Sequence, residues 1–211
     1  MRLHVSVGAV GLVLALLGPG RLSAQNTLSF HAGASVATLG GRDAVDVGVD
    51  PKIGLNLGAS LTFGLGRNLG LRVGGAYVQK GLSVSGQGGE ATLFLDYIEI
   101  PVLLRLRVPT AVRLSPRFFV GPAISINTRC STKIVLQGSG ETLDCDVDSV
   151  KSIDLGGMAG VGVDIATPGS LLITFDVFYN VGLTSWDASA SADDVKNRAW
   201  SILVGVAAPA G

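Results

Sequence analysis

Between residues 27 and 208, apolar side chains return at every second position in eight separate segments. They run near 27–38, 52–64, 69–80, 92–108, 117–128, 152–165, 171–182 and 197–208. A period of two means strand, because successive side chains point to opposite faces. In the second segment Ile53, Leu55, Leu57, Ala59, Leu61 and Phe63 share one face, and Lys52, Gly54, Asn56, Gly58, Ser60 and Thr62 share the other. The fourth contains YIEIPVLLRLRV (97–108), with Ile98, Ile100, Val102, Leu104, Leu106 and Val108 on one face against Tyr97, Glu99, Arg105 and Arg107. Each segment has about 12 residues or more, where a soluble strand averages about 5 to 6. A tilted membrane strand needs about 9 to 11.

The start of the chain fixes a compartment. One firm positive charge at Arg2 precedes an uncharged apolar stretch, Val5 to Leu17, then Gly18-Pro19-Gly20-Arg21 and Leu22-Ser23-Ala24 before Gln25. This layout predicts a secretory signal peptide over residues 1–24, with cleavage near Ala24 and the barrel domain over 25–211. Removing it takes Arg2 and Arg21 and no acid, so the rest carries a net charge of −2. That balance gives no reason to expect nucleic acid as a partner. No later run of 18 apolar residues exists to make a helical span. Yet mean hydropathy is +0.49 and charged residues make up only 15% of the chain. An exported, apolar chain without an apolar helix points to a closed β-barrel, the other structure that satisfies its backbone inside a bilayer.

Periodicity alone does not say which face is inward. A soluble lipocalin-like lipid binder alternates too, with its apolar face inside. Three features favour the membrane barrel. The polar face is rich in small Gly, Ser, Ala and Asn, which suit the cramped interior of an eight-stranded barrel. The apolar face is continuous on every strand. The aromatics Phe30, Phe63 and Phe118 share the apolar parity near one end, and Tyr77, Phe94, Tyr179 and Trp200 share it near the other, as two interfacial belts would. Tyr97, Phe119 and Phe178 break that parity.

The connections alternate as well. Residues 39–51, 81–91, 129–151 and 183–196 are long and polar, whereas 65–68 and 166–170 are tight and 109–116 is intermediate. An even strand count then places both termini and the short turns at one end, as in barrels with short periplasmic turns and long external loops. The expected fold is an all-β, eight-stranded antiparallel up-and-down transmembrane β-barrel. Pro101 lacks a donor in a wall without a free edge, which predicts a bulge there.

The inward parity carries Arg72, Glu99, Arg105, Asp154, Asp164 and Asp176. Charges in a narrow interior must pair, so these residues are expected to form one Arg–carboxylate network that fills the lumen. Arg105 and Arg107 point it toward the periplasmic mouth. Cys130 and Cys145 share the polar stretch 128–151, and an oxidising compartment predicts a disulfide between them. No catalytic constellation emerges. His31 shares its face with Ser29 and Ser35, a pattern that reads as lumen hydrogen bonding rather than catalysis. GVGVDI (160–165) does not open a helix, so it is not a phosphate loop. Asp187, Asp193 and Asp194 lack calcium-loop spacing. No enzyme activity, metal or cofactor is expected.

The stretches YVQKGL (77–82), LDYIEIPVLLRL (95–106), FFVGPAISI (118–126), DLGGMAGVGVDI (154–165) and FDVFYNVGLTSW (175–186) resemble the PorT-type outer-membrane β-barrel domain. The Tyr-x-Glu-x-Pro strand and the Tyr-Asn-x-Gly-Leu strand end are the most specific pieces. The resemblance covers essentially all of the chain after the signal segment. It implies an eight-stranded, monomeric barrel in the outer membrane of a Gram-negative bacterium, surrounded by lipid and lipopolysaccharide and delivered by the insertion machinery. Some members act in protein secretion. Barrels of this sort commonly end on an aromatic residue, whereas this chain ends Val206-Ala207-Ala208-Pro209-Ala210-Gly211, so either Trp200 and Val206 suffice for insertion or insertion is inefficient. The leading expectation for function is a partner or surface ligand bound at the external loops, above all 129–151. The alternatives are a secretion or small-solute transport component and the soluble lipid binder.

Overall fold

The computed structural model describes residues 26–40, 49–86, 89–136, 139–144, 152–183 and 196–210. In chain order the strands are β1 (Thr27–Gly40), β2 (Val49–Gly64), β3 (Leu69–Gly86), β4 (Gly89–Arg107), β5 (Leu114–Leu136), β6 (Ser139–Asp144), β7 (Ile153–Ala166), β8 (Leu172–Gly182) and β9 (Lys196–Pro209). All neighbours pair antiparallel, in the order β4-β3-β2-β1-β9-β8-β7-β5-β6, and β4 also pairs with β5. That last pairing closes eight of the strands into a barrel and leaves β6 as a flap on β5. The seam between the first and last strands runs from Thr27↔Pro209 to Gly40↔Lys196. Closure leaves no unpaired edge in the wall, the condition for crossing a bilayer with strands.

The two faces are inverted relative to a soluble protein. Ile53 is 72% exposed, Val120 59% and Trp200 54%, all on the outer surface, while Arg72, Glu99, Asp164 and Asp176 are buried in the lumen. A lipocalin-like barrel requires the reverse, so the soluble lipid-binder alternative is set aside. The parity exceptions now have a reason. Tyr97, Phe119 and Phe178 are buried inside. Phe119 and Phe178 stack at 5.2 Å and join Leu103, Ala123, Met158 and Leu203 in an apolar layer across the lumen. Small residues make the room. A side-chain carbon on Gly160 would lie 2.3 Å from the Phe178 ring, and one on Gly162 would lie 1.9 Å from Asp176 Oδ1. Both glycines sit directly across from those residues on β8.

Three expectations are corrected. Residues 81–91 and 129–151 are not simply loops. β3 and β4 stay paired out to Gly86↔Gly89, and β5 continues to Leu136, where β6 pairs with it from Ser131↔Asp144 to Leu136↔Ser139. β7 stops pairing with β5 at Ile126↔Ile153. Among the described residues, the β4–β5 side therefore continues about ten residues, roughly 30 Å along the strand, beyond the last β5–β7 pair at the end away from the termini. β-branched Thr132, Ile134 and Val135 favour that extension despite the polar composition. Second, the register does not shift at Pro101. The β3–β4 ladder lacks the pairs between Val73↔Val102 and Ala76↔Glu99, so the missing donor is absorbed as a gap in pairing. The β4–β5 irregularity lies instead at Asp96/Tyr97, where β5 carries the extra residue Thr128. Third, the lumen charges do not form one network, as described next. The expected signal peptide (1–24), Cys145 and the acids Asp187, Asp193 and Asp194 lie outside the described residues.

Candidate functional site

Among the described residues the lumen holds two charge clusters. The first lies toward the end with the termini and short turns, called here the near end. Arg72 reaches across from β3 to β8, the diametrically opposite strand, where Nη1 is 3.2 Å from Asp176 Oδ2. Its Nε donates to Ser60 Oγ at 2.9 Å, and Nη2 lies 3.4 Å from His31 Nδ1. Arg117, from β5, donates Nη2 to Asp176 Oδ1 at 2.6 Å. Its Nη1 is 3.0 Å from Asp164 Oδ1 on β7, an ion-pair contact. Asp176 thus takes one guanidinium on each oxygen. The Phe119 ring lies 5.2 Å from both guanidinium carbons, so the apolar layer also serves as a cation–π floor.

The second cluster lies toward the far end and is built around Glu99. Its Oε2 accepts from Lys80 Nζ at 3.1 Å, Ser125 Oγ at 3.2 Å and Asn180 Nδ2 at 2.6 Å. Those donors stand on β3, β5 and β8, so this carboxylate too is held from across the barrel. Lys80 Nζ also sits 5.1 Å from the centre of the Tyr97 ring. Between the clusters lies a small cavity of about 30 Å³, lined by His31, Arg72, Glu99, Met158 and Phe178 among others. That is room for about two waters.

Of the six inward charges expected from sequence, Arg72, Asp164 and Asp176 come together through Arg117, and Glu99 stands apart with Lys80. Asp154 is buried on β7. Arg105 is half-buried at the near-end mouth, and its Nε has no hydrogen-bond partner. Arg117, which joins both near-end carboxylates, was not singled out from sequence. The signal was available, since Arg117 shares the parity of Ser115 and Phe119. His31 contacts Arg72, while Ser35 Oγ donates to the Gln79 carbonyl at 2.5 Å and Ser29 is buried lower on β1. No nucleophile–base pair forms among them.

On the outer surface Phe30, Phe63, Phe118 and Trp200 are exposed, and Tyr77, Phe94 and Tyr179 are half-buried. Tyr179 and Trp200 pair directly, with ring centres 4.8 Å apart. The Lys52 ammonium lies over the Phe94 ring. Cys130 lies on the extended part of β5, opposite Leu95.

A family model described as outer membrane protein beta-barrel domain matches residues 19–187. Among solved structures, Neisserial surface protein A aligns over 87% of this chain and 97% of its own, at 13% identity and a TM-score of 0.50. The outer membrane protein OprG from Pseudomonas aeruginosa aligns over 88% and 95%, at 12% identity and a TM-score of 0.51. At that identity these likenesses speak for the fold. No curated protein matches the chain.

Proposed function

Because the chain belongs to the outer membrane protein β-barrel domain family, we propose that it is a non-enzymatic integral barrel of a Gram-negative outer membrane, exported by its signal peptide, with a lumen closed by side chains and its function carried at the far, external end. The observation that carries this reading is at the far end, where, among the described residues, β3, β4, β5 and β6 stay paired beyond the last β5–β7 pair. A paired sheet held clear of the bilayer is a rigid platform, and rigid platforms carry binding loops. A Cys130–Cys145 disulfide would fasten the segment after β6 back to β5. The cross-lumen pairs of Arg72 with Asp176 and of Glu99 with Asn180 support the closed lumen. The exposed aromatics at both ends support two interfacial belts.

The experiment has two parts. The folded protein is expected to stay compact in SDS until boiled and to give no large, steady current in planar bilayers. A soluble protein without a heat shift, or a persistent wide-pore conductance, would reject the reading. Deleting residues 131–144 is then expected to leave the heat shift intact while abolishing binding to the bacterium's surface partner or ligand. A phenotype that survives the deletion would move the function elsewhere. The secretion role of PorT-type barrels is the second reading; a wide-pore conductance is the result that would favour it.

A further inference from the structure

Among the described residues, the near-end mouth has more positive charge than its own carboxylates can neutralise. Arg105 and Arg107 stand two residues apart on β4, on the same inward face, about 7 Å from each other along the strand. Both are half-buried. Neither makes an ion pair within 4 Å among the described residues. Arg107 donates Nη2 to Ser115 Oγ at 3.1 Å, and the Nε atoms of both arginines are buried without a hydrogen-bond partner. With Arg67 from the exposed turn 65–68 they line an open recess of about 320 Å³. Among the described residues its one carboxylate is Asp164, which Arg117 already holds from above. The only other carboxylate of the near-end cluster, Asp176, is taken by Arg72 and Arg117.

Half-buried guanidiniums that share one carboxylate with a third arginine are costly unless an anion or water completes them. Guanidinium forks match phosphate oxygens in geometry and charge. We propose that the recess lined by Arg67, Arg105 and Arg107 is a binding site for a phosphate-class oxyanion, entering from the side of the short turns. The site is separate from the external platform and does not depend on it. The oxyanion is drawn from a soluble phosphate compound or from a lipid headgroup folded into the mouth; the chemistry of capture is the same.

The test uses the full folded barrel in maltoside micelles, titrated with inorganic pyrophosphate by calorimetry. Saturable binding is expected, weakened about tenfold by Arg105→Gln and by Arg107→Gln, and partly restored in Arg105→Lys. Arg67→Gln, on an exposed turn that the fold does not depend on, is expected to weaken it about two- to threefold, and keeps the site testable if the lumen variants fail to fold. The heat shift in SDS verifies folding of each variant. Repeating the titration in nanodiscs at about 0.5 M salt, where the bilayer's surface charge is screened within a few ångströms, distinguishes the sources. Weaker pyrophosphate binding in phosphatidylglycerol than in phosphatidylcholine assigns the site to a headgroup, and equal binding assigns it to a soluble phosphate. The absence of saturable binding, or unchanged affinity in the folded arginine-to-glutamine variants, would overturn the proposal.

Discussion

The two lumen clusters are made of similar groups and are neutralised in different ways. At the near end one carboxylate, Asp176, faces two arginines from separate strands, and Asp164 shares one of them. At the far end one carboxylate, Glu99, faces a single lysine and draws its other contacts from neutral Ser125 and Asn180. The near-end cluster is therefore held by charge, and the far-end cluster by one charge pair and dipoles. Removing a charge from each should cost differently, because a buried ion left without its partner is penalised far more than a buried amide or hydroxyl.

The largest effect is expected from Asp176→Asn, which leaves Arg72 facing a neutral amide and Arg117 with Asp164 as its one remaining counter-ion. Breaking a buried pair costs about 3–5 kcal/mol. Urea unfolding in lipid vesicles, followed by heat-shifted gel mobility, measures it. Glu99→Gln leaves buried Lys80 without its counter-ion, while the new amide still accepts from Ser125 and Asn180, so a loss at the low end of that range, about 3 kcal/mol, is expected. Equal losses in the two variants would erase the distinction between the clusters.

The eight wall strands were legible because each keeps one apolar parity over a length that soluble strands rarely reach. The direction of that parity was legible from the small residues opposite it, and Gly160 and Gly162 show why, since they admit Phe178 and Asp176. What parity could not give was who meets whom across the lumen. Arg72 on β3 meets Asp176 on β8 only because barrel closure and strand stagger bring opposite walls to the same height. Arg117 was passed over for a related reason. At the first position of its segment, parity rested on one side only, and the adjacent Phe118 and Phe119 pair blurred it. In sequence the extended strands and β6 look like loops, since Ser, Thr and Gly dilute alternation once a strand leaves the bilayer. Pro101 misled in the opposite direction, because a wall can lose hydrogen bonds locally without changing register.

Glycine substitutions sharpen the same contrast. Gly162→Ala places a carbon 1.9 Å from Asp176 Oδ1, an oxygen fixed by Arg117 at 2.6 Å. Gly156→Ala places one 2.8 Å from Asn180 Oδ1, on an uncharged amide that Glu99 holds at 2.6 Å, and 2.9 Å from the Val181 carbonyl. Overpacking a fixed site costs about 1–3 kcal/mol, and Gly162→Ala, with the closer contact to a charged oxygen, is expected near the top of that range with Gly156→Ala lower within it. The same urea titration ranks them, and a reversed order would mean that the far-end cluster is the stiffer one.

The smallest effect decides whether the clusters are two units at all. They share no partner, and the layer of Leu103, Phe119, Met158 and Phe178 lies between them. Substitutions without shared partners add to within about 0.5 kcal/mol. The Asp176→Asn, Glu99→Gln double-mutant cycle is therefore expected to give a coupling below that limit. Against it stands the cavity of about 30 Å³, which Arg72 and Glu99 both line. A water held there could donate to Glu99 and accept from Arg72, which would tie the near-end charge to the far-end carboxylate. A coupling clearly above 1 kcal/mol would show that tie. The lumen would then behave as a single polar column, the network that the alternation of charges first implied, joined by solvent where the side chains do not touch.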